Sequence, residues 1–179
     1  MKTFIETKRL ILRELQLTDE VGMFELDSNP EVHRFLGNKP VKHIDESRAY
    51  IENIRQQYAD NGIGRWAVIL KDTDEFLGWS GIKLIKQTIN KHQNFYEIGY
   101  RFIQKHWGKG YATEAGLAFV DFAFNEMKVE KLYAYADAGN VNSRHILEKL
   151  GMHYVNSFEY DGEEEVWYEI AMIPNRKFE

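Results

Sequence analysis

The stretch Trp107-Gly108-Lys109-Gly110-Tyr111-Ala112-Thr113-Glu114-Ala115 carries the clearest chemical signal in the sequence. It lies between an expected strand and an expected helix. Helix N-termini expose unpaired N–H groups and partial positive charge. Glycines let that backbone approach a ligand closely. Together they make an anion site, most often one for phosphate. Two familiar phosphate loops do not fit. A P-loop needs Gly five residues before its Gly-Lys pair and Ser or Thr after it; here Ile103 precedes and Gly110 follows. A dinucleotide fingerprint needs Gly or Ala at its sixth position, which from Gly108 is Thr113. The plain alternative is a tight turn that caps a helix.

Other reactive residue types form no competing pattern. The histidines at 33, 43, 92, 106, 145 and 153 show no His-Glu-x-x-His spacing and no carboxylate cluster, so no metal is expected. Gly78-Trp79-Ser80-Gly81 falls short of Gly-x-Ser-x-Gly, which argues against a hydrolase nucleophile. Glu163-Glu164-Glu165 reads as a solvated hairpin end. Lys109 could meet phosphate charge or simply face solvent. With no cysteine there is no disulfide, thiolate zinc site, iron–sulfur cluster or cysteine nucleophile.

Several elements must position these residues. Residues 8–15 alternate in part and read as a first strand. Thr18 is an expected N-cap, with Asp19 and Glu20 suiting the helix's positive end. That helix should end near Asn29-Pro30, where Asn29 can cap a short helix with Pro30 first. Ile44, Ile51, Ile54 and Tyr58 form one stripe of a helix over about 44–60, stopped by Asn61-Gly62-Ile63-Gly64. Residues 65–70 and 76–82 read as a hairpin around a polar loop, 86–94 as a loop, and 95–103 as a fourth strand.

Ala115, Ala118, Phe119, Phe122 and Ala123 recur at helical spacing, with Leu117, Val120, Phe124 and Met127 between them. Such a helix leaves only a narrow wet stripe and should lie against a sheet. A fifth strand over 131–136 and a helix over about 143–150 follow. Two last strands, about 152–160 and 165–173, flank Asp161-Gly162. This order gives one mixed α/β sheet with a parallel crossover around the buried helix.

The 179 residues suit a single domain, 1–179, large enough to bury a sizeable core. Lys plus Arg number 23 against 28 Asp plus Glu, a net charge of −5, which argues against a nucleic-acid partner. The opening Met1-Lys2-Thr3-Phe4-Ile5-Glu6 lacks the apolar core of a signal peptide. No run reaches the roughly 18 apolar residues of a membrane span. A soluble cytoplasmic protein with no membrane partner is expected.

The glycine loop also resembles motif A of the GCN5-related N-acetyltransferases, Gln/Arg-x-x-Gly-x-Gly/Ala, through Trp107, Gly110 and Ala112. Trp107 departs from the Gln or Arg norm. The full string is similar to that of the RimJ/RimL-like branch, the ribosomal-protein N-terminal acetyltransferases and their relatives. Residues 140–152, Asn-Val-Asn-Ser-Arg-His-Ile-Leu-Glu-Lys-Leu-Gly-Met, resemble the family's Asn-x-x-Ser/Ala … Lys-x-Gly-Phe segment, with Met152 in place of Phe. Glu6-Thr7-Lys8-Arg9-Leu10-Ile11-Leu12-Arg13 is similar to the branch's first strand.

The resemblance implies an α/β (α+β) fold: a mixed, mostly antiparallel seven-stranded sheet with about four main helices, ordered β-α-α-β-β-β-α-β-α-β-β. It implies acetyl-CoA as cosubstrate. The amides of Gly108, Lys109, Gly110, Tyr111, Ala112 and Thr113 would hold its pyrophosphate. The strand end at Phe102, Ile103 and Gln104 would pair with its pantetheine arm, with a backbone N–H near Phe102 polarising the thioester. Asn140 and Ser143 would complete the cofactor side. The acceptor would be a small-molecule or peptide amine, a ribosomal-protein N-terminus among them. The enzyme would be a monomer or homodimer.

Direct transfer needs an amine deprotonated and a leaving thiolate protonated. The resemblance points to Glu97 as base, against the alternative that it faces solvent or pairs with a lysine. Many relatives carry an acidic tyrosine where this chain has Leu147. RimL-like members instead place a serine three residues after the motif's Asn, and Ser143 matches it, against the alternative that it only caps its helix. The missing tyrosine also leaves open an acyl-CoA sensor, or a pseudoenzyme that binds but does not transfer.

Overall fold

The structure, a computed structural model, describes residues 4–172. Eight strands make one sheet: β1 (Phe4–Glu6), β2 (Leu10–Glu14), β3 (Arg65–Leu70), β4 (Glu75–Ile85), β5 (Phe95–Phe102), β6 (Lys131–Asp137), β7 (His153–Tyr160) and β8 (Glu163–Ala171). Their spatial order is β1-β2-β3-β4-β5-β6-β8-β7. Neighbours are antiparallel except β5 and β6, which run parallel. The count exceeds the expected seven by one. The extra strand, β1, spans three residues, too few for an alternation to show in sequence. The last strand begins two residues earlier than expected, and Ile173 lies outside the described residues.

Five α-helices cover the sheet. The helices α1 (Glu20–Asp27), α2 (Pro30–His33) and α3 (Ile44–Asn61) pack on one face through Met23, Leu26, Val32, Ile51 and Ile54. The others, α4 (Tyr111–Asn125) and α5 (Val141–Lys149), pack on the opposite face through residues such as Phe119, Val120, Ala123 and Leu147. The edge of Phe119 meets the Trp66 ring of β3 at 5.5 Å. The crossover from β5 through α4 to β6 is the expected parallel unit.

One of the two expected caps differs. Thr18 does not cap α1; a 3₁₀ turn over Leu17–Asp19 precedes the helix. The Asp19 carboxylate accepts from the Gln16 N–H at 2.8 Å and forms a two-pronged pair with the Arg13 guanidinium, both contacts at 2.8 Å. That charged pair outbids a hydroxyl cap. The short helix α2 is capped as expected, with the Asn29 side chain accepting from the Glu31 N–H at 2.9 Å.

Candidate functional site

Strands β5 and β6 part almost as soon as they meet. Their only register pair is Glu97 opposite Tyr133. The Ile103 N–H donates to the Leu77 carbonyl of β4 at 2.9 Å. Antiparallel ladders alternate their hydrogen-bonding residues, so the backbone groups of 98, 100 and 102 point toward β6. Past the Glu97–Tyr133 bridge, no strand among the described residues pairs with that edge. A cleft of about 820 Å³ occupies the gap. It runs from the N-terminus of α4 to the inner end of β8.

At one end stands the glycine loop. Gly108 and Gly110 take φ of +71° and +79°, where a side chain is strained. Gly110 is the N-cap of α4, and no side chain caps that helix. The amides of Tyr111, Ala112 and Thr113 in the first turn are therefore free for an anion. Arg9 braces the loop from outside. Its Nη1 donates to the Lys109 carbonyl at 2.9 Å, its Nε to Glu114 at 2.6 Å, and its guanidinium lies 4.5 Å over the Tyr111 ring. Glu114 also accepts from the Thr7 hydroxyl at 2.6 Å and the Arg9 N–H at 2.8 Å. Burial works against its charge, but these donors hold the carboxyl below its ordinary range.

The end of β5 is busier than expected. The Trp107 indole N–H donates to the Phe102 carbonyl at 2.7 Å, and the Ile103 N–H belongs to β4. Gln104 lies in a 3₁₀ turn, its side chain accepting from Asn29 at 2.9 Å. Of the three residues expected to meet pantetheine, Phe102 turns its N–H toward the gap. The backbone of Tyr100 adds to that open edge.

Asn140 caps α5, accepting from the Ser143 N–H at 3.1 Å. The Ser143 hydroxyl therefore does not cap the helix. It lies 3.2 Å from the Tyr100 hydroxyl, which also donates to the Ser143 carbonyl at 2.8 Å. Burial drives the Tyr100 hydroxyl well above its ordinary pKa, so it stays protonated. Leu147, where relatives carry tyrosine, is 2 % exposed and packs in the core.

Glu97 lines the cleft at the point where the strands part. It neither faces solvent nor pairs with a lysine: its Oε2 accepts from the Arg65 guanidinium. Arg65 also donates to the carbonyls of Gly81 at 2.6 Å and Glu97 at 3.1 Å. Gly99 leaves room for it, since a Cβ there would lie 2.8 Å from Arg65 Nη2. Lys83, opposite Glu97 in register, is half-buried, and burial first, then the charge of Arg65, lowers its pKa.

The chain matches the Acetyltransferase (GNAT) domain family over residues 9–153. It belongs to the GNAT family of acetyltransferases. YkkB of Bacillus subtilis is 37 % identical over 154 residues, covering 86 % of this chain and 87 % of YkkB. A GNAT acetyltransferase structure from Bacillus anthracis superposes with a TM-score of 0.79 at 25 % identity, over 94 % of this chain and 98 % of that one. The ribosomal L7/L12 alpha-N-protein acetyltransferase RimL, solved with coenzyme A, shares the fold with a TM-score of 0.80 at 16 % identity, over 94 % and 98 % of the two chains.

This GNAT domain is an acetyl-CoA-dependent acyltransferase. The uncapped α4 amides and the unpaired β5 edge fit a cosubstrate that carries a pyrophosphate and an amide-rich arm. Among the described residues no three of His, Asp and Glu gather as metal ligands, and no helix is long and apolar enough to cross a membrane.

Sequence alone does not reveal the roles of Arg65, Tyr100 and Glu165 on the cleft wall, or of Arg9 behind the glycine loop. In sequence Glu163, Glu164 and Glu165 read alike as a solvated hairpin end. Glu163 and Glu164 are exposed, but Glu165 is half-buried and lines the cleft. Only the alternation of β8, read against the buried Val166, Trp167 and Tyr168, could have separated it.

Proposed function

We propose that the enzyme moves the acetyl group of acetyl-CoA directly to a primary amine, borne by a small molecule or by a peptide N-terminus. The observation that carries this reading is the parting of β5 from β6. It opens one continuous cleft that has an anion-binding helix end on one side and acidic and aromatic side chains on the other.

In this reading the Gly108–Thr113 segment holds the pyrophosphate. The open edge of β5 pairs with the pantetheine arm, and the Phe102 N–H polarises the thioester carbonyl. The acceptor enters over the face that carries Glu97, Tyr133, Tyr135 and Asp137. The amine attacks the carbonyl carbon, the C–N bond forms, and the C–S bond breaks. The departing thiolate takes its proton through the Ser143 hydroxyl, which the Tyr100 hydroxyl orients.

Release of free CoA thiol from acetyl-CoA, measured across alkylamines, diamines and N-terminal peptides, tests the reading. Turnover on at least one amine is expected, with the acetylated product found by mass spectrometry. Tight CoA binding with no turnover on any amine would replace this reading with an acyl-CoA sensor.

A further inference from the structure

Direct transfer requires a group that takes the acceptor's proton. Glu97 is poorly placed for that task. Its Oε2 is committed to Arg65 in a nearly buried pair, and a proton taken there would leave the guanidinium without its counter-ion in a poorly solvated place.

A second carboxylate lines the same cleft. Glu165 on β8 stands directly opposite Asp137 on β6 and Phe158 on β7. Directly opposite residues of antiparallel strands share a face, so Glu165 lies on the side that presents Tyr135, whose ring stacks on Trp167 at 5.9 Å and 5°. The neighbours on that face are aromatic or acidic. From β6 come Asp137 and the Tyr135 hydroxyl. Phe158 and Tyr160 come from β7, and Glu163 from β8 itself. Among the described residues no Lys, Arg or His pairs with Glu165, and its Oε2 is buried without a hydrogen-bond partner.

Asp137 cannot relieve this. It offers no donor to Glu165, and its Oδ1 accepts from the Gly139 N–H at 2.7 Å. Like charges directly opposite across a ladder repel. Glu165 is therefore a carboxylate with an open lone pair, a repelling neighbour and no resident cation, on the wall of the acceptor side.

We infer that Glu165 is the general base of the reaction. This assignment rests on the transferase reading of the same cleft. The acceptor arrives as R–NH3⁺, and the Glu165 carboxylate on the cleft wall takes one proton to leave R–NH2. The nitrogen lone pair forms the C–N bond. As the C–S bond breaks, sulfur keeps its electron pair, and the second nitrogen proton replaces the one that Ser143 passes to sulfur. Glu165 then returns its proton to solvent. Burial, followed by the charges of Asp137 and Glu163, pushes the Glu165 carboxyl up to about 7. A base matched to neutral pH in this way is efficient.

The pH profile of kcat/KM, measured with the amine that turns over fastest, tests the assignment. The wild type should gain activity as pH rises through about 7. Glu165→Gln should lose that inflection and drop kcat by ~10²–10⁴-fold, with KM for acetyl-CoA little changed. Asp137→Asn keeps an acceptor for Gly139 and should move the inflection to lower pH. Glu97→Gln should keep the inflection. A wild-type rate and profile in Glu165→Gln would overturn the assignment, as would an inflection lost in Glu97→Gln alone. Failure of the wild type on every amine would sink the transferase reading and the assignment with it. An undiminished rate in Glu165→Gln, on an amine that the wild type turns over, would remove the assignment alone.

Discussion

Arg65 binds Glu97 twice, through its carboxylate and through its own backbone carbonyl, while also bonding the Gly81 carbonyl. One guanidinium thereby ties β3 to the two strands beyond it, β4 and β5. Its plane lies over Trp79 at 5.1 Å. The pair fixes the end of β5 from which the cleft opens.

Removing one partner should cost far more than removing both. Arg65→Ala leaves the Glu97 carboxylate buried without its counter-ion, a loss of about 3–5 kcal/mol by analogy with other broken buried pairs. The combined change Arg65→Met with Glu97→Leu removes both charges and should restore most of that stability. Urea denaturation of the three proteins checks the order. A double variant no more stable than Arg65→Ala would show that the pair is not a closed unit.

The helix α5 allows capping and chemistry to be separated. Asn140→Ala removes the cap acceptor and should cost about 1 kcal/mol. Ser143→Ala leaves the cap in place and should change stability little while lowering turnover. Tyr100→Phe should lower kcat and leave KM for acetyl-CoA nearly unchanged. Thermal melts and initial rates on the same preparations decide it. A Ser143→Ala protein with full activity would leave the thiolate to be protonated by water.

The glycine loop should respond to substitution in two ways at once. Gly110→Val puts a β-branched residue at φ +79°, a strain of about 1–2 kcal/mol. The added Cβ would meet nothing nearer than the Arg9 guanidinium at 3.4 Å, so the fold should survive. The branched side chain stands beside the free α4 amides and should weaken CoA. Calorimetry with CoA is the readout, and unchanged affinity would take the loop out of the site.

Trp107 should report on the cosubstrate. It is 44 % exposed, whereas Trp66, Trp79 and Trp167 are 6 % exposed or less. Its indole N–H closes the turn between β5 and the glycine loop. Added CoA should change tryptophan fluorescence in the wild type and not in Trp107→Phe. That variant should also bind CoA more weakly, because the loop loses its tie to Phe102. A fluorescence response that survives in Trp107→Phe would place the reporter elsewhere.

What the sequence made legible was whatever its own periodicity or turn chemistry encodes. The stripe on α3, the nearly all-buried α4, the Asn29-Pro30 start of α2 and the glycine loop are local patterns, and the structure places them as expected. The cleft's chemistry is not local. Arg65 reaches Glu97 across 32 residues, and Tyr100 reaches Ser143 across 43. Arg9 reaches Glu114 across 105. Nothing in a single strand says which partner a charged residue will meet, and three consecutive glutamates look alike until the sheet gives each a face. Ser143 shows the same limit: a serine in the first turn of a helix suggests a cap, but Asn140 fills that position.

The raised carboxyl of Glu165 also predicts how stability changes with pH. Its folded value, about 7, lies above the ordinary 4.5 of an exposed glutamate. Between those two values the folded protein binds a proton that the unfolded chain does not. Stability from this group is therefore fully present below about 4.5 and is lost as pH rises through about 7. The physical cause is plain: ionising Glu165 sets a second negative charge opposite Asp137 in a partly dry cleft. Because the group is only half-buried, solvent screening keeps the effect modest. Glu165→Gln removes the titration and most of the repulsion while keeping the side chain's shape. It should melt above the wild type at pH 8 and close to it at pH 5. The decisive quantity is the difference between the two melting temperatures as a function of pH, which should grow through the neutral range. High salt should shrink it by screening the Asp137–Glu165 repulsion. A difference that stays flat from pH 5 to 8 would mean that Glu165 does not titrate near neutrality, and the base would have to be sought elsewhere on the cleft wall.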